Sequence, residues 1–313
     1  MRKHLSADVK PVVAESRFYS VGFFKRVYNI IEAAFRQGDV NHITGDVHFL
    51  ALLLQKKKTI LTIHDLVFLN HPSPLARKIL KYIWLTLPVK RARIITAVSD
   101  ATRQEILRQT NCSPSKISVI PTCIAPYFKR VDKGFNVIRP IILQIGTVEN
   151  KNCIRMAKAL EGINCTLEIV GKPGAAYLKV LEDCNIKYHI SSHLSNEEML
   201  QKYVDCDILL FASTYEGFGM PIIEANTVGR VVITSNCSSM PEVAGDAACL
   251  VDPFDVESIR AGIKSVIADN KYREQLIENG YRNAQRFQLS AVAREYMLVY
   301  NQITGSEMLA SAL

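Results

Sequence analysis

Short apolar runs alternate with longer segments of helical apolar spacing along most of the chain. The runs are rich in Ile, Leu and Val on both faces, which is typical of strands buried in a parallel sheet. This alternation predicts an α/β fold in which helices cover the sheets. The predicted strands lie at residues 9–14, 39–48 (ending in a polar loop), 59–63, 94–98, 117–120, 141–146, 166–170, 186–190, 207–211, 231–234 and 248–251. The predicted helices include residues 22–36, 75–91 and 100–109, and a final set over 255–303.

Residues 121–137 interrupt the alternation, because they contain two prolines and no apolar period. Such a stretch is typical of a linker. It predicts two β/α domains of similar design, at residues 1–133 and 134–290. Two predicted helix starts carry side chains that can cap their first N–H groups. These side chains are Ser99 and the pair Ser195 and Glu198.

The composition agrees with a globular protein that has two cores. The chain has 313 residues, of which 48% are apolar and 22% are charged. No apolar run approaches the roughly 20 residues that span a bilayer, and the polar start does not resemble a signal peptide. The eight cysteines form no C-x-x-C pair. They predict free thiols in a reducing compartment, and therefore a cytoplasmic protein.

The positive charge lies in the first part of the chain. Residues 1–133 contain 22 Lys and Arg against 9 Asp and Glu, whereas the remainder contains 16 against 21. No nucleic-acid recognition module accompanies this charge, so we expect no nucleic-acid partner. Residues 75–93 and the lysine run 56–58 are basic, and apolar and aromatic residues are interleaved at near-helical spacing in 75–93. The segment is either a helix with a solvated basic face or a surface that lies on anionic lipid.

The clearest chemical signal is the segment that follows the apolar run 208–211. Pro221 suits the first turn of a helix, so the amides of Gly217, Phe218 and Gly219 are expected at a helix start, where anions bind. Glu216 and Glu224 flank this turn. Carboxylates beside an anion site suit a ligand that carries hydroxyls as well as phosphates, as a nucleotide sugar does. Each glutamate taken alone could instead be an ordinary helix residue, with Glu224 solvated and Glu216 offsetting the dipole.

A second polar turn follows the predicted strand 141–146. Ligands of such sheets bind beyond the carboxyl ends of the strands. Lys151 in this turn could neutralise a diphosphate and the charge that grows on it as a sugar leaves, or it could be an ordinary exposed lysine. Thr147 could donate one hydrogen bond to a phosphate.

Histidines follow the predicted strands of the first domain. His64 could exchange a proton or a hydrogen bond with a substrate at neutral pH, and His48 and Asp65 are candidates for the acceptor side. Asp65 could orient His64 or cap the next turn. His42 lies inside a strand and is expected to be a core residue. The histidine spacing matches no zinc pattern, and we expect no metal and no cofactor. The D-x-D sequence at Asp205 precedes a buried strand and is expected to end a helix.

The sequence EGFGMPIIEA, with Glu216 and Glu224 separated by seven residues, resembles the paired-glutamate signature of retaining glycosyltransferases of family 4. Residues 234–236, 240–248 and 250–253 resemble the same family, and the similarity runs from about Asp39 to the C-terminus. The resemblance implies the GT-B fold, in which two Rossmann-like domains face a cleft and the last helix, here 291–313, returns to the first domain. It also implies metal-independent, retaining transfer of a hexose from a nucleotide diphosphate sugar to a hydroxyl acceptor, carbohydrate or lipid-linked. Within the family, the sequence is most similar to bacterial mannosyl- and other hexosyltransferases of surface polysaccharide synthesis.

The resemblance also assigns roles to residues. Glu224 would hold the ribose, Glu216 the donor sugar, and His64 would lie near that sugar. Lys151 would contact the diphosphate, and the remaining donor-site residues would be Gly146, Thr147, Gly217, Phe218, Gly219 and Met220. Family members commonly have an arginine four or five positions before the lysine, near the position that Thr147 occupies here.

The family also opens with a strand and a glycine-rich loop that have no counterpart in the first residues of this sequence, so we expect a shortened first domain. Two other functions stay open at this point. One is a sugar-nucleotide-binding protein with impaired catalysis, and the other is a nucleotide-sugar epimerase of related architecture.

Overall fold

The computed structural model describes Leu5 and residues 9–305, which form two compact units. The first unit consists of the described residues up to Thr122 and those from Leu289 onward, and the second consists of Cys123–Gln288. The first unit thus ends at Thr122 rather than at the predicted residue 133. The reason is that the linker residues bond to the second unit. The Ile124 N–H donates to the Phe287 carbonyl at 2.9 Å, and the Val131 N–H donates to the Val228 carbonyl.

A parallel four-stranded sheet forms the core of the first unit, in the order β1-β2-β3-β4. Its strands are β1 (Asn41–Ile43), β2 (Thr59–Ile63), β3 (Ile94–Ala97) and β4 (Ile117–Val119). Its first helices are α1 (Phe23–Phe35), α2 (Pro74–Leu80), α3 (Leu87–Arg91) and α4 (Asp100–Gln109). All residues of β2 and β3 are buried, as expected for central strands of a covered sheet.

The predicted helix 75–91 is confirmed, with one irregularity. A π-helical turn at Lys81–Thr86 joins α2 to α3, so the segment is a continuous helical rod. The Ser99 cap is also confirmed, because its Oγ accepts a hydrogen bond from the Thr102 N–H at 3.0 Å.

The predicted strand at residues 9–14 is wrong. These residues form no regular structure, and Val12 is 89% exposed. Among the described residues β1 pairs only with β2, and residues 9–14 do not join its open outer edge. Pro11 also lacks the N–H that a sheet ladder would need there.

The second unit contains a parallel six-stranded sheet in the order β10-β9-β8-β5-β6-β7. Its strands are β5 (Ile141–Ile145), β6 (Thr166–Val170), β7 (Lys187–Ser191), β8 (Ile208–Phe211), β9 (Val231–Ser235) and β10 (Cys249–Val251). Its helices are α5 (Cys153–Leu160), α6 (Ala175–Asp183), α7 (Asn196–Asp205), α8 (Met220–Val228), α9 (Met240–Ala244), α10 (Val256–Ala268) and α11 (Asn270–Gln285). The capping box at the start of α7 is present as predicted.

Strand order reverses between β5 and β8, which lie side by side at the centre of this sheet. From β5 the chain builds one half of the sheet outward to β7, and from β8 it builds the other half outward to β10. Such a reversal opens a crevice beyond the carboxyl ends of the two central strands, where ligands of doubly wound sheets bind. The loops after β5 and β8 are those that carry the predicted donor-site residues.

The last helix, α12 (Leu289–Thr304), belongs to the first unit. The Tyr300 hydroxyl lies 2.8 Å from Nδ1 of His42, and the Tyr296 ring packs against the His42 ring. Within residues 9–305, none of the helices combines the length and the apolar character that crossing a membrane requires.

Candidate active site

The loops that follow β5 and β8 are tied together by hydrogen bonds. The Thr214 N–H donates to the Asn150 carbonyl at 2.8 Å, and the Asn150 side-chain amide donates to the Tyr215 carbonyl at 2.8 Å. The buried Asn152 amide donates to the carbonyls of Ala212 and Pro253. These bonds fix the two loops relative to each other at the reversal point of the sheet.

Lys151 and Glu216 meet where these loops touch. The Lys151 ammonium donates to a carboxylate oxygen of Glu216 at 2.6 Å, and the two side chains are only 19% and 14% exposed. The ammonium also lies 4.7 Å from the centre of the Phe211 ring, a cation–π distance. Gly146 has a φ of +85°, and a Cβ there would lie 2.9 Å from Cε of Lys151. Glycine at this position therefore lets the lysine stem run along the backbone.

Glu224 is only partly exposed and its carboxylate is hydrogen-bonded within the protein, so the alternative of a solvated helix residue is wrong. The Tyr203 hydroxyl of α7 donates a hydrogen bond to Oε2 of Glu224. Burial raises the pKa of Glu224, and the hydrogen bond from Tyr203 opposes that rise. A buried carboxylate with one oxygen held by the protein is suited to accept a hydrogen bond from a ligand hydroxyl.

The glycine-rich turn before α8 is shaped by Gly219, which has a φ of +105°. Met220 and Pro221 then form the first turn of α8. The Phe218 side chain is buried and packs edge-on against Phe287, so only its backbone borders the turn. That the amides of residues 217–219 bind phosphate stays a prediction.

Two serines after β9 support this turn, and sequence reasoning missed them. The Ser238 hydroxyl accepts from the Glu216 N–H at 3.2 Å and donates to the Glu216 carbonyl at 2.7 Å. The Ser239 hydroxyl lies 2.8 Å from the Phe218 carbonyl, to which it donates. The strand order could have indicated these serines. The loop after β9 must lie at the same edge of the parallel sheet as the loop after β8.

Thr147 is already bonded within the protein. Its hydroxyl donates to the Lys172 carbonyl at 2.9 Å and accepts from the Lys172 N–H at 3.1 Å. The single hydroxyl proton that was predicted to reach a phosphate is therefore used to fasten the β5 loop to the segment that follows β6.

Of the three candidate histidines, His42, His48 and His64, only His64 is exposed. Its Nε2 lies 2.8 Å from the Thr44 carbonyl. A carbonyl only accepts, so Nε2 carries the proton and, in the neutral ring, Nδ1 is an acceptor. Asp65 caps the next turn, because its Oδ1 accepts from the Val67 N–H at 2.9 Å. Of the two roles considered for Asp65, capping is therefore the one observed.

The other two histidines are enclosed. Nδ1 of His48 donates to the Trp84 carbonyl at 2.8 Å, and the residue is 2% exposed. Burial lowers the pKa of His48. Nε2 of His42 lies 2.7 Å from the Thr62 hydroxyl. Burial, with a smaller contribution from His64, lowers the pKa of His42 to about 4. The expectation that His42 is a core residue is confirmed, and His48 packs in the same manner.

The D-x-D sequence has a structural role. Asp205 ends α7 as expected. The Asp207 carboxylate is buried, pairs with Lys133 and accepts hydrogen bonds from the N–H groups of Asn136 and Ile141. These donors occupy both oxygens of Asp207, so its carboxylate holds the predicted linker against the sheet.

Two family models cover most of the chain. The model described as Glycosyl transferases group 1 matches residues 128–283, and the model described as Glycosyltransferase Family 4 matches residues 4–126. The chain belongs to glycosyltransferase family 4. The resemblance noted in the sequence and the prediction of a glycosyltransferase are thereby confirmed at the level of the family.

Relatives of this family 4 glycosyltransferase include named mannosyltransferases. It is 27% identical over 257 residues to O-antigen chain mannosyltransferase B of Escherichia coli, covering 74% of this chain and 67% of that protein. It is 27% identical over 244 residues to the MMP α-(1→4)-mannosyltransferase of Mycolicibacterium hassiacum, covering 74% and 59%. Against the serotype-specific mannosyltransferase WbdA of Escherichia coli the identity is 23%, and the match covers only 32% of that protein. The matched parts thus span between about a third and two thirds of the length of these relatives.

Solved structures show the same fold. Sucrose-phosphate synthase from Thermosynechococcus elongatus superposes with a TM-score of 0.74 at 19% identity, covering 90% of this chain and 79% of that one. The Anabaena HepE protein in complex with UDP and glucose gives a TM-score of 0.72 at 14% identity, covering 88% and 80%. The predicted α/β fold with two Rossmann-like domains of the GT-B type is confirmed.

Proposed function

We propose that this family 4 glycosyltransferase moves a hexose, with mannose the foremost candidate, from a nucleotide diphosphate sugar to a hydroxyl acceptor in polysaccharide or glycolipid synthesis. The observation that carries the proposal is the contact between Lys151 and Glu216 at the reversal point of the second sheet. The contact supports the proposal because an ammonium suits a diphosphate and a carboxylate suits sugar hydroxyls. The names of the mannosyltransferase relatives support the choice of hexose.

The proposed roles follow from the chemistry of each group. Lys151 stabilises the negative charge that develops on the leaving diphosphate, in a partly buried site where such a charge is screened less than in water. The backbone of residues 217–219 contacts the same phosphates at the start of α8. Glu216 accepts hydrogen bonds from the donor sugar and Glu224 from the ribose. His64 approaches the reacting sugar, and transfer proceeds with retention and without a metal ion.

Calorimetric titration of UDP, GDP and ADP, and of their hexose conjugates, tests the donor site. We expect one nucleotide family to bind, and we expect Glu224→Ala to reduce that affinity by at least about tenfold, because a hydrogen bond to a charged group is lost. Glu257→Ala is the matched control, since Glu257 is an exposed helix carboxylate of the same unit. The absence of binding to every nucleotide, in protein shown to be folded, would overturn the proposal.

Turnover separates the three candidate functions. A transferase releases nucleoside diphosphate only when a hydroxyl acceptor is supplied or when water replaces it. An epimerase would change the sugar without any acceptor. A binding protein with impaired catalysis would bind the donor and leave it unchanged.

We further propose that the protein is cytoplasmic and that its first unit rests on anionic lipid at the inner face of the membrane, which would bring it to a lipid-linked acceptor. Leu75, Ile79 and Tyr82 are 70%, 50% and 56% exposed on the rod formed by α2 and the π turn. Arg77 and Lys78, exposed on the same rod, supply the charge. Exposed apolar residues among cations are typical of a helix that lies in the membrane interface.

A further inference from the structure

Glu224 is held by a residue that lies outside the paired-glutamate sequence. Tyr203 lies in α7, its side chain is fully buried, and its hydroxyl donates to Oε2 of Glu224. A carboxylate in α8 is therefore fixed by a phenol from the neighbouring helix.

Tyr203 is itself fixed at both ends. Its ring packs edge-on against Phe128, with 5.5 Å between the ring centres. Its carbonyl accepts from Nε of Arg230 at 2.9 Å, and the same guanidinium donates to the Val204 carbonyl at 3.0 Å. These contacts restrict the position of the phenol oxygen. The hydrogen bond to Glu224 therefore restricts the position of its carboxylate as well.

The chemistry of the pair suits a ligand that brings hydroxyl groups. A phenol has one proton to donate, so Tyr203 occupies a single carboxylate oxygen. Burial and the nearby Glu224 charge raise the pKa of Tyr203 well above its usual value, so the phenol stays protonated and keeps donating. The second oxygen, Oε1, is left to accept a hydrogen bond from a ligand, and the contact at Oε2 restricts the rotamer of the side chain. Because less side-chain freedom remains to be lost, the binding of a hydroxyl costs less entropy.

The protonation state of Glu224 depends on few groups. Among the described residues it forms no ion pair, and the ionisable side chains that interact with it are Tyr203 from α7 and Tyr127 from the segment before β5. Burial favours the neutral acid, and the hydrogen bond from Tyr203 favours the carboxylate. Tyr203 is consequently the described group that keeps this buried glutamate an acceptor.

We propose that Tyr203 is the positioning residue for the ribose-binding glutamate, fixing the direction of the Glu224 carboxylate and maintaining its negative charge for the 2′- and 3′-hydroxyls of the nucleotide. The inference rests on the proposed function, because it assumes that Glu224 binds ribose.

The test compares Tyr203→Phe with the wild type in titrations of UDP, GDP and ADP and of their 2′,3′-dideoxy analogues. We expect the variant to bind the cognate ribonucleotide about tenfold more weakly, the scale of a lost hydrogen bond to a charged group. The dideoxy analogue should bind equally to both proteins. The control is Tyr272→Phe, the same change at a tyrosine of this unit whose hydroxyl bonds the Cys249 thiol.

The dependence on pH supplies a second readout. Without the hydrogen bond the pKa of Glu224 rises further, so the variant loses its carboxylate at a higher pH than the wild type. The ratio of the wild-type affinity to the variant affinity should therefore increase as the pH is lowered through the range in which Glu224 takes up a proton. Titration of the nucleotide phosphate cancels in that ratio, because both proteins receive the same ligand.

Three results would count against the proposal. Equal weakening of the ribonucleotide and the dideoxy analogue would show that Tyr203 only supports packing. An affinity ratio that does not change with pH would remove its electrostatic role. The absence of nucleotide binding in the folded wild type would overturn the proposed function and this inference together. If Tyr203→Phe does not fold, 3-fluorotyrosine at position 203 keeps the shape and donates more strongly, and it should shift the acid loss of affinity to lower pH.

Discussion

Lys151 and Glu216 form an ion pair in which each neutralises the other. A bound diphosphate would compete with Glu216 for the Lys151 ammonium. The ion pair at 2.6 Å must then be shared with the phosphate or broken. If Glu216 binds the donor sugar as proposed, the hydroxyls of a nucleotide sugar can take the place of Lys151 as its partners. A free nucleoside diphosphate has no such hydroxyls, and its terminal phosphate would lie near an unpaired carboxylate. Glu216 is therefore expected to favour the donor over the released product.

Glu216→Gln tests this expectation. Removing the carboxylate frees the Lys151 charge, so affinity for the cognate nucleoside diphosphate should rise about three- to tenfold, the scale of about 1 kcal/mol for a partly screened charge pair. Transfer should fall, since the acceptor for the sugar is weakened. Calorimetry with GDP, UDP and ADP measures the first effect, and sugar transfer to acceptor measures the second.

Glu149→Gln is the control for net charge, because Glu149 is an exposed carboxylate in the β5 loop. An equal gain of affinity in both variants would mean that only net charge matters. Weaker binding in Glu216→Gln would mean that Glu216 orients the lysine toward the phosphates instead of competing with them.

At the scale of elements, apolar runs predicted most strands, because the strands of a parallel sheet covered on both faces are buried and therefore apolar. The same rule failed for residues 9–14, which stay outside the sheet although β1 has an open edge. Pro11 in this run lacks the N–H that a sheet ladder needs. Lys151 and Glu216 could be brought together from the sequence, because both follow central strands and parallel strands end at one edge. The partners of Glu224 and Thr147 could not be predicted. They depend on how neighbouring helices and loops are spaced across the sheet.

The rod from Pro74 to Arg91 illustrates what periodicity leaves open. The spacing of its apolar residues predicted a helix, but it did not predict which side chains are exposed and which are packed. The structure exposes Leu75, Ile79 and Tyr82 beside the cations, and Arg26 of α1 stacks on Trp84 at 4.5 Å. Phe24 of the same helix is 85% exposed. Exposed aromatic and apolar side chains therefore extend from one helix to the next.

Vesicle sedimentation tests the lipid-binding face. We expect binding to vesicles rich in phosphatidylglycerol, weak binding to phosphatidylcholine, and release by salt, since Lys and Arg near an anionic surface contribute about 1 kcal/mol each. Replacing Arg77 and Lys78 by Glu should reduce the partition coefficient at least about tenfold on the same basis. Lys264→Glu with Lys271→Glu changes the charge equally at exposed sites of the second unit and should leave binding unchanged. Equal loss in both double variants would reduce the effect to net charge.

At the scale of the whole chain, the first unit is built from two distant segments. Helix α12 meets the strands of this unit through His42, whose ring lies 2.8 Å from the Tyr300 hydroxyl and 2.7 Å from the Thr62 hydroxyl. Burial holds the pKa of His42 at about 4, against 6.5 for an exposed histidine. Burial of this ring at the contact between α12 and β1 thus favours the neutral form.

The stability of this unit should therefore fall in acid. Below about pH 6.5 the unfolded chain binds a proton at His42 that the folded unit does not take up until about pH 4. Unfolding is favoured by about 1.4 kcal/mol per pH unit in this window, or about 2 kcal/mol between pH 7.5 and 5. Urea unfolding at these two pH values should show that much more loss in the wild type than in His42→Gln, which cannot take up the proton.

His71→Gln is the matched control, because His71 is exposed and its replacement should preserve the wild-type slope. His48, whose pKa is also lowered by burial, accounts for acid loss that persists in His42→Gln. An identical pH slope in His42→Gln and the wild type would mean that the ring is protonated in the folded protein, with α12 held by packing of Tyr296 and Tyr300 alone. A smaller slope would identify the neutral imidazole as the link between the start and the end of the chain.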